Sequence, residues 1–366
     1  MSTGIEEILT HPEFSKEDLV SLLSADDTGT RKIFETARAV KLQYIGNKVY
    51  FRGLIEFSNI CSKNCYYCGI RSGNKKYKRY ELSDEEVMEA AAFAYREKYA
   101  SLVIQGGERS DKKFIDRIEY LLREISKMSE GRIHVTLSFG EQSPETYRRW
   151  FQAGAQRYLL RIEVSNPELY KKLHPSDKHH DYYKRLEALK SLRKEGYQVG
   201  SGVMIGLPFQ TISDLADDLL FFRNYDIDMV GMGPYIEHDA TPLYEYRDQL
   251  LSQSERFRLS LKMVAILRIM MKDINIAATT AMQTLDPQGR EKALMVGANV
   301  MMPNLTPVKY REDYLLYENK PCINEEAEEC KSCLEARIHI AGDTIGYDEW
   351  GDSKHYRKRT TDEGKK

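Results

Sequence analysis

The chain has 366 residues, 42% of them hydrophobic, and its 54 Lys and Arg against 56 Asp and Glu leave a formal net charge of −2. That length and apolar content suit one large barrel or two ordinary domains, and a charge so near neutral argues against bulk nucleic-acid binding. No stretch reaches the ~18 apolar residues of a membrane helix and the first residues lack the apolar core of a secretory signal, so a cytoplasmic protein without membrane contact is expected.

Residues 1–48 read as a helical N-terminal extension, with Ser15 and Asp27 as helix caps, covering the bottom or side of the main body of the chain. From residue 49 the apolar pattern alternates between strand and helix periods. Strands are predicted over 49–57, 101–105, 132–138, 157–163, 198–205, 229–233, 274–279 and 298–302. Helices are predicted over 84–99, 112–127, 144–153, 182–194, 213–225 and 254–271. Eight such units favour a complete (β/α)8 TIM-type barrel over residues 49–303 rather than an open doubly wound sheet. Residues 304–366 form an irregular C-terminal extension without strong period. Its basic tail, Lys354, Arg357, Lys358 and Arg359, reads as solvated rather than as a phosphate-reading patch.

All six cysteines fall into two triplets, Cys61, Cys65, Cys68 and Cys322, Cys330, Cys333. Core cysteines would scatter and disulfides would pair evenly, so clustering in threes points to metal ligation. The first triplet, C-x3-C-x2-C, reads as a loop leaving the first strand. A structural zinc site wants four protein ligands, and no histidine lies near 61–68 to complete one. An iron–sulfur cluster on three thiolates instead keeps one iron open to another molecule.

The segment Cys61-Ser62-Lys63-Asn64-Cys65-Tyr66-Tyr67-Cys68 resembles the signature of the radical S-adenosylmethionine (SAM) superfamily. The resemblance implies a [4Fe–4S] cluster on Cys61, Cys65 and Cys68, with SAM chelated at the open iron. In a barrel, reactive groups belong at the carboxyl ends of strands. Gln105, Gly106 and Gly107 end the second strand and resemble the family's glycine-rich SAM loop. Ser138 and Glu163 end the third and fourth, where they would hold SAM hydroxyl and amino groups. Arg185 resembles a position that pairs the SAM carboxylate, and Met204 lies in the strand that runs under the adenine. Arg161 shares a face with Glu163, because side chains alternate along a strand. The pair is either an internal ion pair or two ligand-binding groups, with Arg161 then facing a substrate anion.

Residues 55–60, 157–161, 228–234, 278–282 and 297–304 are similar to the HydE family of [FeFe]-hydrogenase maturases, over about 44–333. The second triplet, C-x7-C-x2-C, is similar to an accessory site in part of that family, which implies a further [4Fe–4S] or [2Fe–2S] cluster on Cys322, Cys330 and Cys333. Ile162 departs from members that place a histidine there. The resemblance implies assembly of the diiron subcluster from a small organometallic substrate, a cysteine-ligated Fe(CO)2(CN) complex. Arg161, Thr279, Thr280, Met302 and Tyr317 would line the substrate side. Reduced ferredoxin or flavodoxin would donate the electron, and other hydrogenase maturases would be partners. Alternatives are a methylornithine-synthase-like or biotin-synthase-like enzyme acting on a small amino acid, an iron–sulfur carrier or electron-transfer protein without SAM chemistry, and a zinc-stabilised barrel enzyme.

Overall fold

The computed structural model describes residues 2–363; residue 1 of the predicted N-terminal extension and residues 364–366 of the C-terminal one lie outside them. The strands are β1 (Lys48–Phe51), β2 (Gly53–Ser58), β3 (Ser101–Gly106), β4 (His134–Ser138), β5 (Ala155–Leu159), β6 (Gln198–Ser201), β7 (Met204–Ile205), β8 (Met229–Val230), β9 (Gly233–Pro234), β10 (Asn275–Ile276), β11 (Val300–Met301) and β12 (Thr344–Ile345). Seven run parallel in the order β10-β8-β6-β5-β4-β3-β2. The circle closes through β11, which pairs in parallel with β1 at Tyr50–Val300 and Phe51–Met301, while Ala277 bridges to Val300 and Leu54 to Asn304. The predicted complete α/β barrel is therefore the fold. Its interior strands are apolar runs buried on both faces, as Leu102, Val103 and Ile104 are in β3.

The outer helices form where the 3.6-residue period predicts them. In Lys112–Met128 the residues Phe114, Ile118, Leu121, Leu122 and Ile125 make one buried stripe, and the Asp111 side chain accepts from the Phe114 N–H at the start. The N-terminal extension is helical: α1 (Ser2–Ile8), α2 (Lys16–Leu23) and α3 (Asp27–Tyr44). Ser15 caps α2 in a capping box with Asp18, as expected. The cap of α3 is Asp26 rather than Asp27, because Asp26 has the extended backbone and accepts from Gly29 N–H at 2.9 Å, whereas Asp27 is already helical. These helices lie on the side of the barrel, where Lys262 Nζ donates to the Leu23 and Ala25 carbonyls.

The C-terminal extension is more ordered than its sequence suggests. It contains the helices Ala327–Ile340 and Lys354–Glu363 and the strand β12 against β1. The first helix was hidden because its buried stripe is only Cys330, Leu334 and Ile338, one member of which reads as a ligand. The basic tail is docked through ion pairs, although Lys354, Arg357 and Lys358 keep the exposed side chains expected of them and only Arg359 is largely covered. Lys358 pairs with Asp273 at 2.6 Å, Arg359 with Asp226 and Asp228 at 2.6 and 2.9 Å, and Lys354 Nζ donates to the Tyr44 carbonyl.

His355 sits between Asp226 at 2.5 Å and Asp273 at 3.1 Å, and the hydrogen bonds to these carboxylates raise its pKa to about 9. A raised imidazole contributes stability that is complete below its unfolded pKa of ~6.5 and is lost as pH rises through the folded value. The melting temperature of the wild type is expected to fall more between pH 6.5 and 9 than that of His355→Gln. Parallel curves in a pH series of thermal melts would contradict this assignment.

Candidate active site

The loop after β2 carries the first triplet, and its backbone is tied down at several points. Ser62 N–H donates to the Glu108 carbonyl, Tyr66 N–H to Leu173 and Gly69 N–H to Leu316, each at 2.9 Å. The loop lies directly on the glycines that end β3. A Cβ on Gly107 would stand 2.3 Å from the Ile60 carbonyl oxygen and 2.7 Å from Cys61 Cβ, so only glycine permits this approach. The Glu108 N–H donates to Cys61 Sγ at 3.3 Å.

Cys61, Cys65 and Cys68 all open onto one cavity of about 330 Å³ inside the barrel. Burial pushes the Cys61 thiol up to about 11 and Cys68 to about 12, and drives Cys65 well above its ordinary value. Cys65 and Cys68 also feel the developing charge of neighbouring thiols, as expected of a closely spaced donor set. Such thiols ionise readily only against a metal, which supplies the missing positive charge. The nearby imidazoles are already committed. His174 Nε2 meets Tyr67 Oη at 3.3 Å, and His180 Nε2 accepts from Asn64 N–H at 3.0 Å. Three thiolates without a fourth protein ligand fit a cluster that keeps one iron open.

Beneath the loop lies a box of four charges that the sequence does not reveal as a group. Lys63 pairs with Glu141 at 2.5 Å and Arg185 with Glu108 at 2.6 Å, and Arg185 also meets Glu141 at 3.0 Å. Burial works against ionisation of Glu108, yet Arg185 and Lys63 hold its carboxyl below the usual range. Its signal was a carboxylate directly after the two glycines of β3. Arg185, predicted to pair the SAM carboxylate, belongs to this box and does not line the cavity.

The other predicted residues largely converge. Gln105, Gly106 and Gly107 form the cavity wall at the end of β3, and Ser138 and Glu163 the wall beyond β4 and β5. Met204, Thr279, Thr280, Met302 and Tyr317 lie on the same cavity. Thr280 Oγ1 and Tyr317 Oη are 2.8 Å apart, which places the segment after β11 over the barrel mouth. Arg161 forms the internal pair: its Nε is 2.9 Å from Glu163 Oε1 and its Nη2 2.9 Å from Oε2. Its Nη1 and Nη2 also donate to the Gly231 and Val203 carbonyls. Glu163 adopts a φ of +67°, a strained conformation for this side chain that the pairing and the Glu163–Val203 bridge maintain.

Of the second triplet, Cys322 and Cys330 border the same cavity, whereas Cys333 is exposed on its helix. The Cys330 hydrogen bond lowers Cys322 to about 6, against burial and with help from Arg290, and raises Cys330 in turn. Arg337 Nε donates to Cys333 Sγ at 3.4 Å. A second buried pair, Lys320 with Glu56 at 2.5 Å, was equally unforeseen. A lone carboxylate within the apolar β2 was its signal.

Comparison with known proteins adds an independent line. The radical SAM superfamily profile matches residues 55–222. The [FeFe] hydrogenase maturase subunit HydE of Thermotoga maritima is 45% identical over 356 residues, covering 96% of this chain and 98% of the relative. The 3-methylornithine synthase of Methanosarcina barkeri is 25% identical over 346 residues, 92% of each chain. The crystal structure of methylornithine synthase (PylB) matches with a TM-score of 0.78 at 24% identity, over 94% of this chain and 97% of that one, a likeness of fold. With thiols, glycine loop and barrel placed as they are, the chain belongs to the HydE family of [FeFe]-hydrogenase maturases, within the radical SAM superfamily.

Proposed function

We propose that this radical SAM enzyme acts in the maturation of [FeFe] hydrogenase, on a small anionic substrate held in the barrel cavity. The observation that carries this reading is the opening of all three thiols of the first triplet onto the same cavity as Thr280 and Tyr317. Members of the superfamily hold a [4Fe–4S] cluster and SAM, and the reduced cluster supplies the electron that cleaves SAM. Here Cys61, Cys65 and Cys68 would hold the cluster. The backbone around Gln105, Gly106 and Gly107, with Ser138 and Glu163, would orient SAM. Thr279, Thr280 and Tyr317 present hydroxyls to the substrate, while Met204 and Met302 pack the walls and exclude water. Arg161 supports this side by holding the Glu163 carboxylate in place through two hydrogen bonds. The substrate class is a cysteine-ligated Fe(CO)2(CN) complex, and reduced ferredoxin or flavodoxin is the electron donor. Other hydrogenase maturases supply the substrate and take the product. Cys322, Cys330 and Cys333 would hold an accessory cluster.

Anaerobic reconstitution followed by reduction with dithionite is expected to yield 5′-deoxyadenosine from SAM. The same enzyme should restore hydrogenase maturation to a cell-free system that lacks only this component. A rearranged amino acid formed from lysine instead would sink the maturase reading. Replacing Cys322, Cys330 and Cys333 together with alanine should lower the iron-to-protein ratio while the signal of the cluster on the first triplet persists in electron paramagnetic resonance. Gly107→Ala should displace the cysteine loop and cut 5′-deoxyadenosine formation at least ~10-fold, about 1.4 kcal/mol in barrier. Unchanged turnover would mean that the loop tolerates the shift.

A further inference from the structure

Four cationic side chains line the cavity, Lys63, Arg161, Arg290 and Lys320, against three carboxylates, Glu56, Glu108 and Glu163. Three of the cations are matched: Lys63 by Glu108 and Glu141, Arg161 by Glu163, and Lys320 by Glu56. Arg290 has no carboxylate partner among the described residues. It stands at the start of the helix Gly289–Met295 and is 2% exposed. Among the described residues its Nε has no hydrogen-bond partner, and the one hydrogen bond its side chain makes there is a long one, 3.8 Å from Nη2 to Cys322 Sγ. A guanidinium offers five N–H donors in a planar fork, so most of this one is unused. Burying a charge with its donors unmet is costly unless a ligand meets it.

We infer that Arg290 binds the anionic end of the small substrate, a carboxylate, at the part of the cavity bordered by Tyr317, Cys322 and Cys330. The fork of an arginine matches a carboxylate with two parallel hydrogen bonds. Arg161, the cation singled out by its place at a strand end, is not available for that task, because Glu163 and two carbonyls already occupy its donors. The inference rests on the reading that the substrate enters this cavity. The competing role for Arg290 is to balance a thiolate at Cys322, and the experiment separates the two.

The test uses anaerobically reconstituted holoenzyme with saturating SAM and measures calorimetric binding of S-methyl-L-cysteine and of its methyl ester. The wild type is expected to bind the acid at least ~10-fold more tightly than the ester. Arg290→Met should bind both alike, to within about twofold, and Arg290→Lys should keep part of the preference. Ligand-free Arg290→Met should melt at or above the wild-type temperature, because an unmatched buried charge has been removed. Any of three results overturns the inference: Arg290→Met keeps the acid preference, Arg290→Met melts lower, as loss of a thiolate's counter-charge would make it, or the wild type binds neither probe. Formation of 5′-deoxyadenosine by the wild type tests the enzyme reading separately, so failure of that reading is told apart from failure of this one.

Discussion

Replacement of Cys65 with alanine is expected to abolish 5′-deoxyadenosine formation, by at least ~1000-fold, which corresponds to about 4 kcal/mol or more in barrier. Cys65 is 8% exposed at the centre of a loop whose backbone is bonded to the Leu173 and Leu316 carbonyls and to Glu108. Its neighbours cannot substitute for it. His174 is buried, engaged by Tyr67 and the Tyr170 carbonyl, and held neutral at a pKa of about 3 by burial; His180 is held by Asn64 and Asp177. Loss of one of three thiolates leaves two protein ligands, too few to hold a cubane cluster. Iron content after reconstitution and chromatographic quantification of 5′-deoxyadenosine check the prediction together. A variant that keeps both iron and turnover would remove the first triplet from the centre of the chemistry.

Asp352→Ala is expected to destabilise the fold by about 3–5 kcal/mol, the range for breaking a buried ion pair and leaving one partner uncompensated. Arg157, fully buried in the middle of β5, donates to Asp352 Oδ1 and to the Trp350 carbonyl at 2.7 and 2.6 Å. Gln198 Nε2 donates to the same carboxylate oxygen at 2.7 Å, and Asn275 Nδ2 donates to the Gly351 carbonyl. Residues 350–352 thus close the barrel floor by joining β5, β6 and β10, which come from distant parts of the chain. Burial opposes ionisation of Asp352, but His134, Arg157 and Gln198 overcome it and hold the carboxyl well below the usual range. A depressed carboxylate contributes stability that is full above its unfolded pKa of ~3.9 and is lost as pH falls toward the folded value. Urea unfolding at neutral pH should show the loss in the variant. A shift in midpoint worth less than about 1 kcal/mol would mean that the floor is held elsewhere.

Much of this protein was legible because its signals are local. The alternation of strand and helix periods predicts the barrel, as hydrophobic burial acts on a face that repeats every two or 3.6 residues. The C-x3-C-x2-C spacing and the glycines after β3 name the centre of the site, since they are requirements on a single loop and a single turn. The docked tail was not legible. Lys358 and Arg359 read as solvated because their partners Asp226, Asp228 and Asp273 lie about a hundred residues earlier in the chain. A sequence shows charge but not which charges meet.

The same limit governs the active site. By itself the sequence determined the alternating element order of the barrel, the grouping of the cysteines into two candidate ligand triplets and the set of side chains at the strand ends, because backbone periodicity and residue spacing are written along the chain. Only the tertiary structure decided how the charges there are matched. Arg161 and Glu163, two residues apart on one face, satisfy each other, while Lys320 returns over the mouth to neutralise Glu56. Arg290, on an unremarkable outer helix, is the cation left facing the cavity without a carboxylate among the described residues. Electrostatic matching in a low-dielectric interior depends on distances of a few ångströms between segments far apart in sequence, and closure of the barrel is what sets those distances.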